Sequence, residues 1–341
     1  MEIKTIRSAD LPKLISRWAE DAEVFIPREA KGFLSFTPTK DGAGFELTES
    51  RSTRYPPKAF FLPQYEAMFT LRGSRLESVP PAERKRVVVG TRPCDARASA
   101  LLDLTLAPKG DADPLWQARR AATALVSFGC THPAETCFCQ AVESGPFDPR
   151  GSDVLVTPLA DGFTLQALTQ TGEVLIAHLP AADKETTAQA EAVQKKAASM
   201  QQKPFETPRA LDKMYALFES DFWAQQAASC LGCGVCTFLC PTCFCFDIVD
   251  ETSRAQRVRN WDSCMFRIYS QEASGHNPRP TKTERTRQRV MHKYAYWIEQ
   301  VNEVGCTGCG RCVQFCPVNI DIRSIVRQAQ AQPTATRRGK K

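Results

Sequence analysis

The sequence predicts an α+β (or α/β) N-terminal domain over 1–203, an α-helical domain over 204–330 and a basic tail at 331–341. Three observations carry this. Val87-Val88-Val89-Gly90 and Ala124-Leu125-Val126-Ser127-Phe128 are short, continuous apolar runs, the pattern of strands buried on both faces. Leu211, Tyr215, Phe218 and Phe222 recur at helical spacing. Beyond them, eight cysteines fall in two runs, each ending in a proline: Cys230, Cys233, Cys236 and Cys240 before Pro241, and Cys306, Cys309, Cys312 and Cys316 before Pro317.

Taken in order, Leu11, Leu14, Ile15 and Trp18 form one apolar face of a first helix, with Ser8 or Asp10 as its cap and Pro12 in its first turn. Four prolines within 51–69 forbid a long regular element before Gln64. The strand at 87–89 leads to Cys94 and Asp95, with Asp95 placed to cap a helix from Ala96 to Leu102. The strand at 124–128 leads to Cys130, Cys137 and Cys139. Val154–Thr157, Phe163–Leu168 and Val174–Ala177 read as short strands. Residues 181–203 read as an exposed helix and linker, with the domain boundary near Lys203-Pro204. The insert at 246–305 reads as helical, and a last helix covers Ile322 to Gln330.

The cysteine runs read C-x₂-C-x₂-C-x₃-C-P, the spacing with which ferredoxins hold [4Fe–4S] clusters. Three thiolates two residues apart converge on one cluster only if the backbone curls around it. Gly232, Gly234, Gly308 and Gly310 permit the positive φ such a curl needs. In two-cluster ferredoxins the fourth cysteine of each run serves the other cluster. That rule groups Cys230, Cys233, Cys236 and Cys316 at one site, and Cys306, Cys309, Cys312 and Cys240 at the other. The C-terminal domain is thus expected to be ferredoxin-like and dicluster. A Cys₄ zinc site would use two C-x₂-C pairs, and a disulfide framework would suit a small secreted chain.

Composition bounds the function. A chain of 341 residues, 43% hydrophobic and 24% charged, is ordinary for a globular protein of two domains. The net charge of +6 accompanies no nucleic-acid recognition motif. No run of about 18 apolar residues and no leader is present, so direct membrane insertion is not expected, and fifteen cysteines, most of them in metal-type clusters, fit a reducing, cytoplasmic setting. No dinucleotide fingerprint or phosphate loop is present.

Seven cysteines remain. Cys94, Cys130, Cys137 and Cys139 lie at strand ends, where ligands gather in α/β sheets, and form a candidate third cluster or zinc site, with Asp95 as a substitute ligand. The alternative is that they are buried small hydrophobes. His132 is the one histidine among cysteines. Cys243, Cys245 and Cys264 read equally as a weak metal set, a reactive thiol pair or plain packing. The basic stretch 279–293 is either a solvated helix face or a docking surface for an acidic partner.

With these residues in view, the chain resembles the iron–sulfur (beta) subunits of sulfhydrogenase-type NAD(P)-linked nickel–iron hydrogenases and the corresponding 4Fe–4S dicluster subunit of anaerobic sulfite reductase. The resemblance rests on P-P-K-A-F-F-L-P-Q-Y-E at 56–66, G-T-R-P-C-D-A at 90–96, E-T-C-F-C at 135–139, C-P-T-C-F-C-F-D at 240–247, R-x-R-x-W-D-S-C at 257–264 and C-x₂-C-G-R-C-x₃-C-P-V-N-I-D-I at 306–322. It implies an electron-relay subunit between a flavoprotein that handles NAD(P)H and a catalytic hydrogenase or sulfite reductase subunit. The rival reading is a subunit that reduces sulfur compounds itself, through the extra cysteines or an open-ligand third cluster. Arg311 stands in the second run where the first has Val235, which predicts the higher potential at the Cys306/Cys309/Cys312 site.

Overall fold

The structure, a computed structural model, describes residues 2–46, 52–81, 84–201, 203–206 and 211–332. It forms two compact units: Met1–Pro63, Pro80–Gln140 and Ser144–Gln202 make the first, while Gln64–Val79, Ala141–Glu143 and Lys203–Lys341 make the second. Most of the basic tail lies outside the described residues.

The chain opens with a strand, β1 (Ile3–Arg7), before the expected helix α1 (Leu11–Asp21). That helix buries Leu11, Leu14, Ile15 and Trp18, as their spacing predicts. The expected cap is not made. Asp10 occupies the N-cap position without bonding the helix backbone, and instead pairs with Arg7 at 2.9 Å and Lys13 at 3.0 Å. The hairpin β2 (Glu23–Ala30) and β3 (Phe33–Thr39) turns at Lys31-Gly32, both with positive φ. The next hairpin, β4 (Tyr65–Arg72) and β5 (Arg75–Ser78), belongs to the second unit. The first unit continues with β6 (Arg86–Thr91), α2 (Pro93–Leu106), α3 (Pro114–Ala121), β7 (Thr123–Phe128), β8 (Val154–Pro158), β9 (Gly162–Ala167), α4 (Gln170–Ile176) and α5 (Lys184–Met200).

Its seven strands lie in the order β1-β9-β8-β7-β6-β2-β3. β2, β6, β7 and β8 run parallel, while β1, β3 and β9 pair antiparallel toward the edges. All six residues of β7 are buried, as a continuous apolar run in a doubly covered strand requires. Two local expectations are corrected here. Asp95 lies inside α2, because Pro93 starts the helix two residues earlier. Val174–Ala177 is not a strand: Thr169 caps α4 by accepting from Gly172 N–H at 3.2 Å, and four consecutive apolar residues are too few to outweigh that signal.

In the second unit β10 (Phe246–Glu251) and β11 (Gln256–Trp261) join the earlier hairpin in an antiparallel sheet ordered β10-β11-β4-β5. The insert expected to be helical therefore opens as a sheet. Glu66 of β4 and Arg259 of β11 form an ion pair that is almost wholly buried. The aromatic stripe breaks into α6 (Leu211–Ala216) and α7 (Phe222–Ala227), with Phe222 and Trp223 buried; the side chain of Leu211 lies outside the described ones. The remaining helices are α8 (Val235–Phe238), α9 (Lys282–Met291), a π turn at His292–Tyr296, α10 (Trp297–Val301), α11 (Arg311–Gln314) and α12 (Ile322–Ala331).

Candidate metal centres

The two cysteine runs have the same local conformation. Gly232 and Gly234 have φ of 70° and 75°, Gly308 and Gly310 of 65° and 75°. In each run the second glycine begins a one-turn helix, α8 or α11. In each, the first glycine N–H donates to the first cysteine sulfur at 3.4 Å, Gly232 to Cys230 and Gly308 to Cys306. Thiolates that accept backbone N–H bonds are stabilised as anions, which is what a metal requires of them.

The fourth cysteine of the second run faces the first run. Cys316 lines one cavity with Cys230, Cys233 and Cys236, and Cys312 of the second run reaches the same cavity, together with Thr286 and Arg289 from α9. Ile320 N–H donates to its sulfur at 3.2 Å. Cys240 is tied to the start of the second run through Lys293. Lys293 Nζ donates to Cys240 Sγ at 3.3 Å, to Thr242 Oγ1 at 2.9 Å and to the carbonyl of Gly305, the residue before Cys306, at 2.9 Å. All three protons of a buried ammonium are thereby engaged. Burial alone would push Lys293 down, yet Cys240, Cys243 and Cys306 more than offset it and hold the group above its usual range. Burial raises the Cys312 thiol to about 11; Arg289 opposes this, while Cys306 and Cys240 reinforce it.

Donors outnumber acceptors around these thiols. Arg289 is fully buried and gives one bond, Nη2 to the carbonyl of Cys236 at 3.2 Å. Its Nε, Thr286 Oγ1 and Thr307 Oγ1 are buried without a protein partner. Such groups cost free energy unless something accepts from them. Among the described residues, no three His, Cys, Asp or Glu side chains converge as one metal ion would need. A thiol-lined cavity with spare donors fits a larger anionic group, and the sulfides of an iron–sulfur core meet that description.

The basic stretch 279–293 is neither a solvated face nor an open docking surface along its whole length. Arg285, Arg289 and Lys293 repeat every four residues and are buried. The π turn carries Lys293 and Tyr294 inward together. Sequence reasoning missed Arg289 and Lys293; the i, i+4 repeat, continued by the apolar Val290, Tyr294 and Trp297, was the available signal.

In the first unit, Cys130 and Cys137 lie near enough to Cys139 to act on its thiol. Burial first, then Cys130, pushes the Cys139 thiol up to about 12, and Cys137 adds to this. Cys139 donates to Gln201 Oε1 at 3.1 Å. Cys94 and Asp95 sit in the first turn of α2, directly after β6, and Cys130 directly follows β7, the parallel neighbour of β6. Asp95 is buried. Cys243, Cys245 and Cys264 line a separate cavity in the second unit.

Residues 229–320 match the family model for a 4Fe-4S dicluster domain, which supports an iron–sulfur role for this part of the chain. Over 337 residues, 97% of this chain and 99% of the relative, it is 29% identical to the sulfhydrogenase 2 subunit beta of Pyrococcus furiosus. The resemblance read from the sequence is thus borne out, and with it an iron–sulfur electron-transfer role. No solved structure matches. Among the described residues no helix is long and apolar enough to cross a membrane.

Proposed function

We propose that the chain is the electron-relay subunit of a cytoplasmic oxidoreductase complex and holds two [4Fe–4S] clusters crosswise. Cys230, Cys233, Cys236 and Cys316 hold one; Cys306, Cys309, Cys312 and Cys240 hold the other. The observation that carries the reading is Cys316 in the cavity of the first run. When bound, such clusters supply one-electron redox centres. The protein's own residues do the rest. Backbone N–H groups from Gly232, Gly308 and Ile320 hold thiolates in place. Arg289 and Lys293 offset the negative charge that each arriving electron adds. Burial of Cys230 and Cys240 keeps water from the sulfurs.

The sequence resemblance points to the partners: a flavoprotein that handles NAD(P)H on one side, a hydrogenase or sulfite reductase subunit on the other. Cys94, Cys130, Cys137 and Cys139, with Asp95 in reserve, are the candidate ligands of a third cluster, a reading supported by the nearness of Cys130 and Cys137 to Cys139. Iron analysis of anaerobically purified protein tests the count. The reading expects about eight irons per chain for two clusters, or about twelve with the third, at four irons each. Colourless, iron-free protein would overturn it.

A further inference from the structure

The second unit contains a cavity of about 330 Å³ lined by Cys243, Cys245 and Cys264, with Tyr269, Arg279 and His292. None of these thiols belongs to the two runs. The β10–β11 hairpin brings two of them together. Phe246 pairs with Trp261, and Asp262 N–H donates to the carbonyl of Cys245 at 3.0 Å, which carries the register one step past the strands. Cys264 follows two residues later. Its thiol is hydrogen-bonded to Cys245, and so is the Tyr269 hydroxyl. Cys243 is hydrogen-bonded to Cys240, the cysteine that faces the second run.

Two thiols in hydrogen-bonding contact stand too close to grip separate corners of a cubane, yet close enough for a covalent bridge. Neither is in a disulfide here, and both are half-buried beside a cavity that Arg279 and Lys293 also line. We propose that Cys245 and Cys264 are a reversible dithiol–disulfide pair, a two-electron centre beside the single-electron carriers. The inference rests on the relay reading and extends it. In the reductive direction the S–S bond breaks and two S–H bonds form. This consumes two electrons, one from each of two one-electron iron–sulfur donors, and two protons from water in the cavity. Oxidation returns them. Cys243, touching Cys240 and lining the same cavity, bridges the two. Tyr269, hydrogen-bonded to Cys245, is placed to pass one of those protons from the cavity to the Cys245 sulfur as the bridge opens. The pair lets a relay of single electrons deliver them two at a time.

The test uses the iron-loaded chain. Protein oxidised with thionin, and the same protein reduced with dithionite, are alkylated with iodoacetamide and mapped by mass spectrometry. The expected result is a Cys245–Cys264 disulfide in the oxidised sample and two alkylated cysteines in the reduced one. Reductive titration should show the wild type taking about two more electrons per chain than C245S/C264S at equal iron content. Free thiols at both poises would overturn the proposal. So would loss of about four irons in C264S, which would make the pocket a cluster site. Wild-type protein without iron would instead sink the relay reading. The alkylation needs no variant and holds even if C245S/C264S fails to fold.

Discussion

Lys293 is the residue on which the second site depends most. Its ammonium is buried among a thiol, a hydroxyl and a carbonyl, and a buried cation is tolerated only where negative charge compensates it. An electron added nearby is stabilised by the same charge. Lys293→Met should therefore lower the potential of the Cys306/Cys309/Cys312 cluster by about 59 mV, tenfold in the reduction equilibrium, with the other cluster less affected. Potentiometric EPR titration reads this directly, and an unchanged midpoint would remove Lys293 from that role. Arg311, buried at the first position of α11, was visible in the sequence as the charge that sets the two runs apart. Lys293 was not, because it follows a string of cations that look solvated until α9 is seen to bury every fourth one. Its neighbour His292 makes a second prediction. Burial, and then Lys293, lowers its imidazole from 6.5 to about 4. The folded protein keeps it neutral while the unfolded chain takes up a proton below 6.5, so stability rises with pH across that window. About 3 kcal/mol is lost as pH falls from 6.5 toward 4. Denaturation of wild type and His292→Phe at pH 7.5 and pH 5 should show the pH-dependent loss shrinking in the variant.

At the scale of elements, the parts with local signatures were legible. The two runs curl where their glycines allow it, α1 buries its spaced apolar face, and β6 and β7 occupy the continuous apolar runs. What escaped was set by partners distant in sequence. β1 carries no strand signature of its own and is held by pairing with β9. β10 and β11 were hidden in an insert full of charges, because one buried charge there, Arg259, is answered by Glu66 on β4. Arg259→Ala leaves that carboxylate uncompensated and should cost about 3–5 kcal/mol. A thermal melt should show the drop, and Glu66→Gln combined with Arg259→Met should restore much of it. A loss no greater in the single variant than in the double one would contradict the account of that pair.

At the scale of the whole molecule, the candidate sites were legible as sets of cysteines, and the spacing rule of two-cluster ferredoxins already grouped the fourth cysteine of each run with the other run. What the spacing did not name are the buried cations beside these thiols, because Arg289 and Lys293 reach them only through the path of α9 and its π turn. The most direct measurement is EPR of the dithionite-reduced protein in four single serine variants. The account predicts that Cys316→Ser perturbs the same cluster signal as Cys233→Ser, and that Cys240→Ser perturbs the same signal as Cys309→Ser. If Cys316→Ser instead tracks Cys309→Ser, each run keeps its own cluster and the crosswise arrangement is wrong.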